Sequence, residues 1–112
     1  MKLDRNINDD GMGKYAILNL RKLGDFRSGT FQKLAPRITA AIDTLERAGI
    51  LDWGRVGTES EFFLIKLKDR YANAALTAYA GAALGDDPEY AMEIIEMAAR
   101  SGPFHPLCKK PD

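Results

Sequence analysis

The stretch from Pro36 to Lys68 constrains the fold more than any other part of the chain. Its first half has apolar residues at helical spacing and then a glycine, in the order Ile38, Ala41, Ile42, Leu45, Ala48 and Gly49. This i, i+3, i+4, i+7 spacing predicts an amphipathic helix over residues 36–48, and Gly49 suits the residue just past its end.

Two short apolar runs follow this helix, Ile50–Trp53 and Glu61–Lys68. The second run alternates, with Phe63, Ile65 and Leu67 on one face, as expected of a β-strand. The residues between the runs, 54–60, include two glycines and predict a turn. We therefore expect a small antiparallel β-hairpin, which must lie against helices because a lone hairpin is marginally stable in water.

The N-terminal half is less clear. Lys14–Leu23 fits a strand through alternation and a helix through Ala16, Leu20 and Leu23, and Gly24 after the last apolar residue favours the helix. A short helix is expected over Phe31–Ala35, and Pro36 predicts a break after it.

The C-terminal half predicts two more helices. The first has an alanine- and tyrosine-rich stripe over Tyr71–Ala83, where small side chains let another backbone approach closely, either in the core or at a seam between two copies of the chain. The second starts with Asp87 as N-cap and Pro88 in its first turn. Its expected buried side consists of Ala91, Ile94, Ile95 and Ala98.

These elements predict an α+β fold that is mainly helical, with four to five helices around one small antiparallel β-hairpin in a loosely winged-helix-like order. A length of 112 residues fits a single domain over residues 1–112. Within it, residues 1–13 are expected to form an N-terminal arm and residues 104–112 an extended tail.

Charge and composition narrow the cellular setting. Sixteen basic and sixteen acidic residues balance, so no global field favours nucleic acid or membrane. A single cysteine, Cys108, excludes an internal disulfide and fits a reducing compartment. The N-terminus lacks the apolar core of a signal peptide, and no window is apolar enough for a membrane span. We expect a cytoplasmic protein with no membrane association.

Catalysis and metal binding are not expected. No serine lies in a nucleophile elbow, no phosphate-binding loop is present, and the pairs Asp9/Asp10 and Asp86/Asp87 suit turns and helix caps. His105 and Cys108 have a spacing that metals accept, but structural zinc needs four ligands. The sequence therefore predicts no enzyme, no cofactor and no metal site.

A helix followed by a hairpin is the order of a winged helix-turn-helix, in which the hairpin is the wing. Residues 14–55 also contain eight basic and four acidic residues. Against DNA binding, Asp43 and Glu46 would face the phosphates, and Ala35-Pro36 is too short for the turn between the two helices. DNA binding is therefore a disfavoured alternative.

The candidate binding surface consists of Trp53, Lys66, Lys68, Arg70, Tyr71 and Tyr79. Basic side chains next to tyrosines suit an acidic protein surface or a phosphate-bearing ligand. Solvated lysines are the commoner explanation of such a charge cluster. Lys109 and Lys110 in the tail add two more cations.

Three stretches carry a resemblance. They are Arg5-Asn6-Ile7-Asn8 with Gly13-Lys14-Tyr15-Ala16, the run from Ala48 to Gly54 together with Glu59–Ala72, and the ending His105–Asp112. In these the chain resembles a group of small uncharacterised proteins of bacteriophages and prophages. The resemblance implies a phage origin and a setting in the host-cell cytoplasm, and it brings no catalytic residues.

The predicted function is that of a small non-enzymatic accessory protein that binds and blocks a host protein, such as a component of antiviral defence. The first alternative is a sponge that sequesters a phosphorylated signalling nucleotide, with Tyr71 or Tyr79 stacking on the base. The second alternative is the winged-helix-like DNA-binding protein.

Overall fold

A computed structural model describes residues 7–8, 10–23 and 36–111. The chain divides into two compact units, Met1–Ser60 and Glu61–Asp112, and each is described by itself. The helix expected over Phe31–Ala35 lies outside the described residues. A single domain over residues 1–112 stays a prediction.

The described residues contain three α-helices: α1 over Pro36–Arg47, α2 over Ala72–Ala83 and α3 over Pro88–Ala98. Two short 3₁₀ helices, Leu20–Leu23 and Gly102–Phe104, complete the regular elements of this part of the chain. None of the described residues forms a β-strand, and one isolated parallel bridge joins Asp69 to Lys109. The predicted α+β fold with a β-hairpin and four to five helices is therefore wrong.

Helix α1 ends as its sequence predicts. Gly49 takes a positive φ of 76°, and its N–H donates to the carbonyl of Glu46 at 3.1 Å. The N–H of Ile50 donates to the carbonyl of Leu45 at 3.0 Å, which completes a Schellman motif. The same carbonyl also accepts from Leu51 at 3.1 Å, so the helix end uses two N–H groups that the first predicted strand would have needed.

The turn before Ser60 forms, but no strands flank it. Gly54 and Gly57 have φ values of 60° and 84°, and Thr58 donates through its N–H to the carbonyl of Arg55 at 3.1 Å. Positive φ at separated positions turns the chain locally rather than giving the two-residue turn that pairs strands closely. Residues 62–66 have no regular secondary structure.

The helix predicted over Lys14–Leu23 is reduced to the 3₁₀ turn Leu20–Leu23. Asn19 explains part of this, because its side chain and its carbonyl both accept from the N–H of Lys22, each at 3.3 Å. Such a local bond competes with helix propagation, and a ten-residue helix is marginal without tertiary packing. Ile17 is exposed and offers no such packing.

The second unit is built around a helical hairpin of α2 and α3. Ala91, Ile94 and Ala98 of α3 are buried, three of the four residues predicted there, and Ala72 and Ala80 are the buried residues of the predicted α2 stripe. Small residues on α2 allow the close approach that the sequence predicts. Ile95 is 44% exposed and does not join the core.

The junction between these helices is confirmed at the level of single residues. Helix α3 starts at Pro88, and Asp87 is its N-cap, with Oδ1 accepting from the N–H of Tyr90 at 3.1 Å. Proline fits the first helical position because its missing N–H would have no partner there. The loop 84–87 is short enough to bring the two helices side by side.

Candidate functional site: a basic cluster at one end of the helical hairpin

Trp53 belongs to the first unit, whereas the other five predicted site residues belong to the second. Its Nε1–H donates to Oε2 of Glu46 at 2.7 Å, which ties the loop after α1 to the helix. A half-buried indole with a short bond to a carboxylate has a structural role in this unit.

Asp52, next to Trp53, strengthens the same loop. Hydrogen bonds from the Ser60 side chain and from the Gly54 N–H hold the pKa of Asp52 below its usual value, with a smaller contribution from Arg55. The Gly54 bond is 2.9 Å long. These contacts make the loop a folded feature rather than an open site.

Lys68 and Arg70 pair with the C-terminal tail in the structure. The N–H of Lys109 donates to the carbonyl of Lys68 at 3.0 Å, and the N–H of Arg70 donates to the carbonyl of Lys109 at 2.9 Å. The tail therefore pairs with the chain just before α2. We call Lys66, Lys68, Arg70, Lys109 and Lys110 the basic cluster.

A second backbone hydrogen bond holds the chain at the start of the C-terminal tail. Gly102 has a φ of 58° and donates its N–H to the carbonyl of Leu67 at 2.8 Å. A Cβ at this position would lie 3.0 Å from Cβ of Asn73 and 3.2 Å from the carbonyl oxygen of Arg70. Only glycine satisfies both the backbone conformation and the space.

Side chains next to Gly102 fix the end of α3. Asn73 donates through Nδ2 to the carbonyl of Ala98 at 2.8 Å, and the fully buried Ser101 donates to the same oxygen through its hydroxyl at 2.8 Å. Carbonyls at a helix C-terminus lack intrahelical partners, so these bonds satisfy a group that would otherwise be costly to bury.

Tyr71 and Tyr79 lie in different surroundings. Tyr71 is 59% exposed and directly follows Arg70, beside the basic cluster. Tyr79 lies eight residues along, about 12 Å by helix rise, and its ring meets that of Tyr90 edge to face, with centroids 6.2 Å apart. Along α2, Tyr71 and Tyr79 therefore have different neighbours.

An apolar segment precedes the basic cluster. Phe62, Phe63 and Leu64 are 67%, 87% and 51% exposed. No backbone hydrogen bond joins residues 62–65 to any other described residue. The sequence analysis placed these apolar residues in a β-hairpin that packs against helices, but the tertiary structure leaves them exposed. We call Phe62–Leu64 the apolar segment.

Sequence reasoning missed a second feature at the far end of the hairpin. A shallow cleft of about 320 Å³ is lined by Tyr79, Ala82, Ala83, Asp86, Asp87 and Tyr90. The two aspartates were assigned only to turns and helix caps, so no cleft was predicted here. The charge pattern was the available signal, because no lysine or arginine occurs between Arg70 and Arg100.

No known protein family, curated protein or solved structure matches the chain. The described residues contain no group of three or more His, Cys, Asp and Glu side chains that could hold a metal ion. None of the helices in the part of the chain that the structure describes is long and apolar enough to cross a membrane.

Proposed function

We propose that this protein is a small phage-encoded accessory protein that binds and blocks a host protein, such as a component of antiviral defence. The observation that carries the proposal is the apolar segment, which is exposed, has no regular secondary structure and makes no backbone hydrogen bond to other described residues, directly before the basic cluster. Such a segment can add as a strand to the exposed edge of a partner's sheet through main-chain hydrogen bonds.

The charges next to the segment indicate the chemistry of the partner. Five cations lie on the chain around residues 66–70 and 109–110, with Asp69 as the one acid among them. The Asp69 carboxylate is already engaged, because its Oδ1 accepts from the N–H of Tyr71 at 2.8 Å. The partner we propose is a protein with an apolar sheet edge flanked by acidic side chains, since complementary charge speeds association and selects partners.

Affinity capture from host lysate tests this surface. We expect the wild type to retain a partner that is lost when Lys66, Lys68 and Arg70 are replaced together by glutamate. The matched control replaces three cations of the first unit, Lys22, Arg37 and Arg55, by glutamate and changes the net charge equally. Circular dichroism should be the same for all three proteins. A partner retained by the Lys66/Lys68/Arg70 variant would overturn the proposal.

A second variant tests the apolar segment independently. Replacing Phe62 and Phe63 by serine should also abolish capture, while the melting temperature stays close to that of the wild type because both rings are exposed. Undiminished capture by this variant would leave the basic cluster as the sole contact and would rule out strand addition.

The exposed ring of Tyr71 beside the basic cluster favours one other function, the sequestration of a phosphorylated nucleotide. Cations would contact the phosphate and the ring would stack on the base. Because a ligand that binds the folded state stabilises it by about 2.7 kcal/mol at a hundred times its Kd, saturating nucleotide should raise the melting temperature clearly. Unchanged melting curves with cyclic and ADP-ribose-type nucleotides would exclude this alternative. DNA binding stays a prediction, without the hairpin that would have formed its wing.

A further inference from the structure

The loop end of the α2–α3 hairpin has a charge opposite to that of the basic cluster. Between Arg70 and Arg100 the chain carries five acidic residues and no basic one, and three of the five, Asp86, Asp87 and Glu89, lie in the loop or in the first turn of α3. Helix α2 has twelve residues and is therefore about 18 Å long, so its far end lies beyond a Debye length from the cations at its start. The local field at the loop attracts cations.

The shape of the cleft makes the attraction of cations more specific. The rings of Tyr79 and Tyr90 stand at 83° to each other, with hydroxyl oxygens 3.4 Å apart, and form an aromatic corner. Ala82 and Ala83 line the cleft with short side chains that leave it open. The cleft is open to solvent and has a volume of about 320 Å³.

Two carboxylates complete the lining. Asp87 is half-buried and held in place by its cap bond to Tyr90, so one wall of the cleft is fixed by the start of α3. Asp86 is exposed, and its side chain has no hydrogen bond or ion pair among the described residues. Aromatic faces beside a carboxylate are the surroundings that bind organic cations, by cation–π attraction and charge-assisted hydrogen bonds.

We propose that the cleft between Tyr79, Tyr90 and Asp86 binds a guanidinium group. A guanidinium is planar, so it stacks on a tyrosine face while its N–H groups donate to a carboxylate, whereas an ammonium ion does only one of these well. The group can belong to a free small molecule or to an arginine side chain of a peptide. The site is separate from the basic cluster and its binding does not depend on the function proposed above.

The direct test is a titration followed by amide chemical shifts in the full-length protein. Methylguanidinium should shift the signals of residues that line the cleft, and methylurea, its neutral planar analogue, should not. A blocked Gly-Arg-Gly peptide and its citrulline analogue separate the two sources of the group. Tighter binding of the arginine peptide would assign a protein ligand, and tighter binding of methylguanidinium would assign a small molecule.

Matched variants decide whether the cleft is responsible. Asp86→Asn should weaken methylguanidinium binding roughly fivefold, as loss of one charged contact at an exposed site would. Glu96→Gln removes the same charge on α3 outside the cleft and should leave the affinity nearly unchanged. Equal weakening by both variants, or shifts with methylurea as large as with methylguanidinium, would overturn the proposal.

A third variant examines the aromatic corner. Tyr79→Leu should abolish the shifts, and Tyr79→Phe should keep most of them because the ring face remains. Melting curves show whether each variant is folded. Retention of full affinity by a folded Tyr79→Leu protein would exclude stacking on this ring.

Discussion

The two ends of the α2–α3 hairpin are built in different ways. At the end that contains Gly102, backbone hydrogen bonds join distant segments: the N–H of Gly102 reaches Leu67, and Lys109 exchanges bonds with Lys68 and Arg70. At the loop end, the contacts are local, as in the cap bond from Tyr90 to Asp87. One end is positively charged and fixed by contacts between distant segments, whereas the other is acidic and depends mainly on the loop 84–87 and the start of α3.

This difference predicts where substitutions should affect the stability of the protein most. A loop that depends on local capping tolerates change at each residue that is not the cap. The Gly102 end depends on long-range contacts, so losing one close approach there should destabilise the protein strongly. Several hydrogen bonds at this end depend on the same backbone geometry. Two matched pairs of substitutions and one single substitution test this contrast.

The largest effect is expected at Gly102. Gly102→Ala forces a side chain into a left-handed conformation and places its Cβ 3.0 Å from Cβ of Asn73, so we expect a loss of about 2–3 kcal/mol in the free energy of unfolding. The control at the other end is Gly85→Ala, because no atom lies within 4 Å of a Cβ there. Urea unfolding of both proteins measures the difference. Equal stability of the two variants would contradict the contrast between the ends.

An intermediate effect is expected at the helix cap. Asp87→Ala removes the acceptor of the Tyr90 N–H and should destabilise the protein by about 1 kcal/mol. Asp86→Ala, one residue earlier, removes the same charge without a cap and should change stability by less than about 0.5 kcal/mol. Thermal unfolding compares the pair. A larger loss for Asp86→Ala would show that the loop depends on more than its cap.

The smallest effect is expected from the tyrosine hydroxyls. Tyr90→Phe removes a contact of 3.4 Å between hydroxyl oxygens near solvent, and the edge-to-face packing of the rings remains. The free energy of unfolding should fall by about 0.5 kcal/mol or less, because exposed hydrogen bonds contribute little net stability. Chemical denaturation measures it, and a loss above about 1 kcal/mol would mean that the corner is a structural element of the hairpin.

The binding surfaces were predictable to different degrees. The basic cluster was found in part, because Lys66, Lys68 and Arg70 are close in sequence. The pairing of Lys109 with Lys68 and Arg70 spans about forty residues, and no local sequence pattern predicts it. The packing of Tyr79 against Tyr90, eleven residues further along, was not predicted, because it depends on how α2 and α3 lie side by side.

The sequence by itself determined the ends of helices. Gly49 ends α1 and Asp87-Pro88 starts α3, because capping depends on the conformational freedom and hydrogen bonds of a few adjacent residues. The tertiary structure alone decided whether the alternating run at Glu61–Lys68 became a strand. A strand needs a partner for its backbone groups, and here the carbonyls of Leu67 and Lys68 accept from Gly102 and Lys109 while Phe62–Leu64 stays exposed and outside any regular element.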